Sequence, residues 1–125
     1  MDYLSEIKKN KRIQKLEQDV RTKGDMKALN SLAQEAGKMA VSVLRANLDE
    51  AAINQNSSVE DIRAVVAPVL RANHKYVSDL AAVSINKMYK SNQIGLKAIS
   101  PEYSQAREDE IVQMISDKRF ADGSD

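Results

Sequence analysis

The chain has no cysteine, so no disulfide closes it and no thiol chemistry is open to it, a composition that suits a reducing cytoplasm. Histidine occurs once, at His74. A zinc site there would need carboxylates for every other ligand, so His74 is read as a surface or half-buried side chain. Glycine is sparse and scattered, at 24, 37, 95 and 123. Neither G-x-x-x-x-G-K-[ST] nor G-x-G-x-x-G occurs, and no serine sits in a nucleophile elbow. Nucleotide binding and acyl transfer therefore have no motif. The carboxylates fall where a solvated helix face or a helix start wants them, and the five methionines are too dispersed to line a groove. No apolar run approaches the roughly 20 residues of a membrane span, and Met1–Glu6 lacks the apolar centre of a signal peptide. The reading is of a protein that is not an enzyme, with no cofactor, no metal, no small-molecule substrate and no membrane partner.

What the chain does have is helical periodicity. Its 125 residues suit one helical domain with a modest core. The organising stretch is 58–90. Ser57 with Glu60, or Ser58 with Asp61, fits a capping box at its start. Val59, Ile62, Val66, Val69, Val77 and Leu80 then recur at helical spacing, with Val65, Ala72, Tyr76 and Val83 alongside. Two adjacent rows make a stripe wide enough for at least two neighbours. Pro68 interrupts the pattern, and at about 3 kcal/mol in a helix interior it predicts a kink or short break near Ala67. Asn73 and Ser84 fall within the stripe. Both are expected to meet backbone or water at a helix crossing, and Asn73 alternatively sets the register of a partner helix.

Residues 26–52 form the second strong helix. Its stripe is Met26, Leu29, Ala33, Ala36, Ala40, Val43 and Ala51, flanked by Leu32, Leu44 and Leu48. Ala33, Ala36 and Ala40 should face the 58–90 helix, and Gly37 among them should allow still closer approach. The short polar loop Asn54–Ser57 makes the two helices an antiparallel hairpin. Residues 3–23 read as one polar helix ending at Gly24, with a thin apolar face and weak attachment. Its rows, Leu4–Ile7 and Ile13–Leu16–Val20, do not line up. A last helix is expected from Ser100-Pro101-Glu102, with Ile111, Met114 and Ile115 inward and Val112 at the edge, before a frayed tail at 120–125. The fold class is thus all-α: a bundle on a long antiparallel hairpin, with a shorter N-terminal helix, an extended strip and a C-terminal helix.

Two features point outward. Lys8, Lys9, Lys11 and Arg12 form a basic cluster, read first as a solvated face and second as a phosphate-binding patch. No aromatic residue interleaves with it, and a net charge of +1 is unlike that of a dedicated nucleic-acid binder. Ile94, Leu96 and Ile99 form an apolar strip without helical period, and with Tyr103 they are the candidate partner contact. Tyr3, Tyr76, Tyr89 and Tyr103 all have the amphipathic character of helix-edge anchors. Residues 1–23 carry +3 and residues 100–125 carry −4, which would suit head-to-tail packing of like subunits.

The segment Ile94-Gly95-Leu96-Lys97-Ala98-Ile99-Ser100-Pro101-Glu102-Tyr103, followed by Arg107 and Ile111-Val112, resembles a stretch in minor head proteins of tailed bacteriophages that infect Gram-positive bacteria. There a helical region leads into a G-[IL]-K-x-[IV]-x-P-x-[YF] strip and then a short helix. The resemblance covers about residues 60–119. It implies a non-catalytic virion structural or assembly protein near the head or portal, located in the virion or host cytoplasm. Its partners would be other virion proteins or copies of itself. Members of that family are often longer and can carry appended domains, so the resemblance suits a reduced relative or a fragment of one. Two other classes stay open: a small cytoplasmic helical regulator that binds and inhibits a partner protein, and a helical nucleic-acid-binding module using the basic cluster.

Overall fold

The computed structural model describes residues 1–88 and 102–117. Within them the chain is an all-α bundle of five helices: α1 (Tyr3–Lys9), α2 (Lys11–Lys23), α3 (Met26–Glu50), α4 (Val59–Met88) and α5 (Gln105–Ser116). The strip Ile94, Leu96 and Ile99, the proposed Ser100-Pro101 helix start, Tyr89 and the 120–125 tail lie outside the described residues. No helix among the described residues is long and apolar enough to cross a membrane.

The single N-terminal helix expected over 3–23 is two helices, and Asn10 is the reason. Its backbone is extended, with its N–H donating to the Ile7 carbonyl, so it closes α1. Its side-chain oxygen accepts from the Ile13 N–H at 2.9 Å, so it also caps α2. The break resets the helical phase. That explains why the two apolar rows fail to line up in sequence, yet Ile7, Ile13 and Val20 are all fully buried together with Tyr3. The apolar face of 1–23 is narrow, as expected, but its residues sit in the main core.

Gly24 ends α2 in the left-handed conformation, with φ of 66° and its N–H on the Val20 carbonyl. A Cβ there would stand 2.6 Å from that of Lys87, so the position also needs glycine for the close approach of α4. Asp25 then caps α3 by accepting from the Lys27 and Ala28 N–H groups. The other end of α3 turns through Ala52 at φ of 54°, while the Ile53 N–H returns to the Leu48 carbonyl. Of the two capping pairs read from sequence, Ser58 is the one used: its hydroxyl accepts from the Asp61 N–H at 3.1 Å. Ser57 instead accepts from Asn54 inside the loop.

The helix α4 runs through Pro68 as one continuous helix, so of the kink or short break expected near Ala67 the break is absent. Pro68 and Ala64 both lie on the exposed side. Water can therefore satisfy the carbonyl that the proline leaves without a donor. Buried Ile62, Val66, Val69 and Leu80 face buried Leu29, Leu32, Ala36, Ala40, Val43, Leu44 and Leu48 of α3 in one core. Three members of the α3 stripe shift outward: Met26 and Ala51 are exposed and Ala33 is half-buried, while the flanking leucines take the interior. Among the described residues Gly37 has no close neighbour for an added Cβ, so it does not serve close packing between the described helices.

Three side-chain bonds tie the N-terminal arm to α4. The Tyr3 hydroxyl donates to Asn73 Oδ1 at 2.6 Å, the Tyr76 hydroxyl donates to Glu17 at 2.6 Å, and the Ser84 hydroxyl donates to the Gly24 carbonyl at 2.9 Å. Ser84 thus meets backbone at a helix crossing, as read from sequence, whereas Asn73 meets a tyrosine side chain. Burial raises the pKa of Tyr3 and of Tyr76, the latter also through Glu17. The resulting core has three arms: α1 with α2 running one way, α3 the other, and α4 parallel to the first. The helix α5 lies antiparallel along α4, and α4 is the only helix that it approaches among those described.

Candidate functional site: a clasped glutamate between two helices

The most unusual side chain of the bundle is on α5. That helix starts later than expected, at Ser104, whose hydroxyl accepts from the Arg107 N–H at 3.1 Å. Its inward stripe is Glu108, Val112 and Ile115, while Ile111 is half-buried and Met114 exposed. The spacing i, i+4, i+7 is that of one helix face, so the stripe is helical in period but has a carboxylate where an apolar residue is normal. Glu108 is 0% exposed.

Four donors surround it. The Tyr103 hydroxyl donates to Oε1 at 2.7 Å and the Gln105 amide to Oε2 at 2.7 Å. The Arg63 guanidinium donates to Oε2, and Arg71 lies 3.4 Å from Oε1. Arg63 also holds Asp109 at 2.9 Å. Arg71 sits 5.7 Å from the Tyr103 ring centre, and that ring meets His74 edge-on at 5.6 Å. Burial alone would raise the Glu108 pKa. The hydrogen bonds from Tyr103, Gln105 and Arg63, with the charge of Arg71, outweigh it and hold the carboxyl below its usual range. The Tyr103 phenol is pushed up to about 12, first by burial and then by its bond to Glu108.

This arrangement decides what the carboxylate can do. Two carboxylate oxygens offer about four lone-pair positions; three hydrogen bonds fill three of them, and Arg71 lies against Oε1 as an ion pair. A group so committed has little acceptor capacity left, and its lowered pKa makes it a weak base. Its chemistry is that of a joint. It locks a short helix, with only two fully buried apolar side chains, to a fixed register on α4. Two openings border the joint. One, of about 180 Å³, is bounded by His74, Tyr103, Arg107 and Glu108. The other, of about 390 Å³, crosses Ala64, Ala67 and Pro68 between Arg63 and Arg71. Among the described residues no three His, Asp or Glu side chains gather where they would hold a metal ion.

The sequence-selected residues fall in different places. Tyr103 is half-buried and points its hydroxyl into the joint. The basic cluster straddles the break at Asn10, with Lys8 and Lys9 in α1 and Lys11 and Arg12 in α2. Lys9 pairs with Glu6 at 3.4 Å and Arg12 with Glu35 at 3.1 Å. Lys8 and Lys11 are exposed, with no ion-pair partner among the described residues. Glu108, Arg63, Arg71 and Gln105 went unselected. The signal was there in the phase of Glu108 with Val112 and Ile115, but an acidic triplet at a helix start reads more readily as dipole complement.

Fold and joint together define an all-α bundle with a peripheral helix held by a buried ion cluster. No protein-family model matches the chain, and neither a curated protein nor a solved structure matches it.

Proposed function

We propose that the protein works without catalysis, as a bacteriophage virion structural or assembly protein near the head or portal, through contacts with other virion proteins or copies of itself. The observation that carries the reading is the use made of the one fully buried charge among the described residues. Glu108 and its two arginines hold one helix on another, so the densest polar chemistry among the described residues is a helix–helix junction. The resemblance around residues 94–112 supports the phage assignment independently of the joint. Of the four basic-cluster residues, Lys9 and Arg12 are already paired with acids, which lowers the field available to a phosphate backbone.

The test is co-fractionation. A tagged chain expressed during phage growth should sediment with purified heads or head precursors, and mass spectrometry of those particles should recover its peptides. Recovery only in the soluble fraction, bound to one host protein, would replace this reading with the regulatory one. Salt-sensitive retention on nucleic acid would replace it with the third.

A further inference from the structure

We infer that α5 is an exchangeable element: it docks on α4 of a second copy of this chain, with Glu108 of one copy held by Arg63 and Arg71 of the other. The inference rests on the assembly reading and specifies one of its contacts. The first support is connectivity. Among the described helices α5 comes close to α4 alone, so none of the others ties it to its own chain. The second is how the ion cluster divides. Tyr103 and Gln105 travel with α5, while Arg63 and Arg71 stay on α4, so the contact separates into two complementary halves. Residues 102–117 carry five acids and one arginine, a net −4. Within the chain this acidic segment meets its cations on α4, at Arg63 and Arg71.

The third support is selectivity. A buried carboxylate is costly wherever it lacks cations and donors, so α5 can dock only on a surface that supplies them. A second copy of α4 supplies the same ones. Positions 89–104 put sixteen residues between α4 and α5. Fully extended, that length reaches at most about 58 Å, against about 18 Å for the length of α5 itself. Docking within the chain and docking between copies are then alternatives built from identical contacts, which makes exchange cheap. Tethering favours the internal alternative by an effective concentration of order millimolar. Exchange prevails where copies are crowded to that level.

The test reverses the charges of the two halves in separate chains. Glu108→Arg leaves α5 without a dock on its own α4 or on an identical copy. Arg63→Glu with Arg71→Glu does the same from the other side. Mixed at equal amounts, the two variants match each other in both directions. Size-exclusion chromatography with light scattering should give single-chain mass for each variant alone and twice that mass for the mixture. The wild-type chain should shift from single to double mass as it is concentrated toward about 1 mM, and Glu108→Arg should abolish the shift. Circular dichroism checks that each variant keeps its helices. Arg63→Glu alone replaces the double variant in the mixture if that one unfolds. A mixture that stays at single-chain mass overturns the exchange, and so does a wild-type chain that stays at single-chain mass throughout. If the wild type nevertheless co-sediments with phage heads, the exchange falls and the assembly reading stands.

Discussion

Two interfaces of α4 are built on opposite principles. Toward α3 it presents Ile62, Val66, Val69 and Leu80 to leucines and alanines, a long apolar seam with few directional contacts. Toward α5 it presents two arginines to a buried glutamate. Apolar seams gain free energy in proportion to buried area, about 25 cal/mol per Å², and tolerate small shifts. An ion cluster gains little net free energy but penalises every misplacement, because a displaced partner leaves a buried charge unpaired. The difference teaches that a long helix is held by area, whereas the 12-residue α5, with two fully buried apolar side chains, is placed by charge.

The sharpest way to break the first interface is Val66→Asp or Leu80→Asp, both at fully buried positions. Either should cost several kcal/mol, roughly the stability of a small domain, and abolish cooperative melting followed by circular dichroism. Retained helicity and an unchanged Tm would mean that the α3–α4 core face is assigned wrongly.

The second interface should break alone. Glu108→Ala leaves Arg71 and Tyr103 without that acceptor, while Arg63 keeps Asp109. No buried charge is left behind and both arginines keep access to water, so the cost is that of the lost hydrogen bonds, about 1–3 kcal/mol. Hydrogen exchange should show α5 amides losing protection while α3 amides keep theirs. Equal loss in both would mean that the joint and the core form one cooperative unit.

Acid separates the two interfaces more gently. The folded pKa of Glu108 lies below its ordinary 4.5. Its contribution to stability is thus complete above about pH 4.5 and is lost as pH falls from there through the folded value. Amide exchange followed from pH 6 to pH 3 should therefore release α5 before α3. Alkali discriminates less. The Tyr103 contribution is complete below pH 10 and is lost as pH rises through about 12. Tyr3 and Tyr76 in the core are raised as well, so alkali attacks both regions.

The smallest effect has the opposite sign. Gly37 sits inside α3 with open space where a Cβ would go. Gly37→Ala should stabilise the chain by about 0.5–1 kcal/mol through helix propensity, raising Tm by a few degrees. A loss of stability would show that the position has a neighbour in solution.

The parts legible in the sequence are those where one periodicity governs many residues. The rows of 26–52 and 58–90 sum over seven or more turns, and most of their members are buried, with Met26, Ala51 and Val59 exposed and Ala33 and Val77 half-buried. Single polar residues that act in two ways were not legible. Asn10 looks like one more polar position in a lysine-rich run, yet it ends one helix and begins another. Ser104 lost to Ser100 because proline at a first helical position is the stronger written signal. Glu108 was hidden by its class. Charged residues on a helix are outward by default, and only the coincidence of Arg63, Arg71, Tyr103 and Gln105 reverses the default. That coincidence exists only after folding has brought position 63 to position 108.

Asn10 has a consequence for how this chain tolerates change in length. In an uninterrupted helix, deleting one residue rotates everything before it by about 100° relative to everything after it. Here the extended backbone at Asn10 uncouples the two sides. A deletion between Leu4 and Lys9 swings Tyr3 away from Asn73 but leaves Ile13 and Val20 facing α3 and α4. The same deletion between Gln14 and Asp19 pulls Val20 and the Gly24 turn out of phase with Ile13 and misaligns the start of α3. The first nine residues thus form a segment that insertions and deletions can resize without moving the rest of the core.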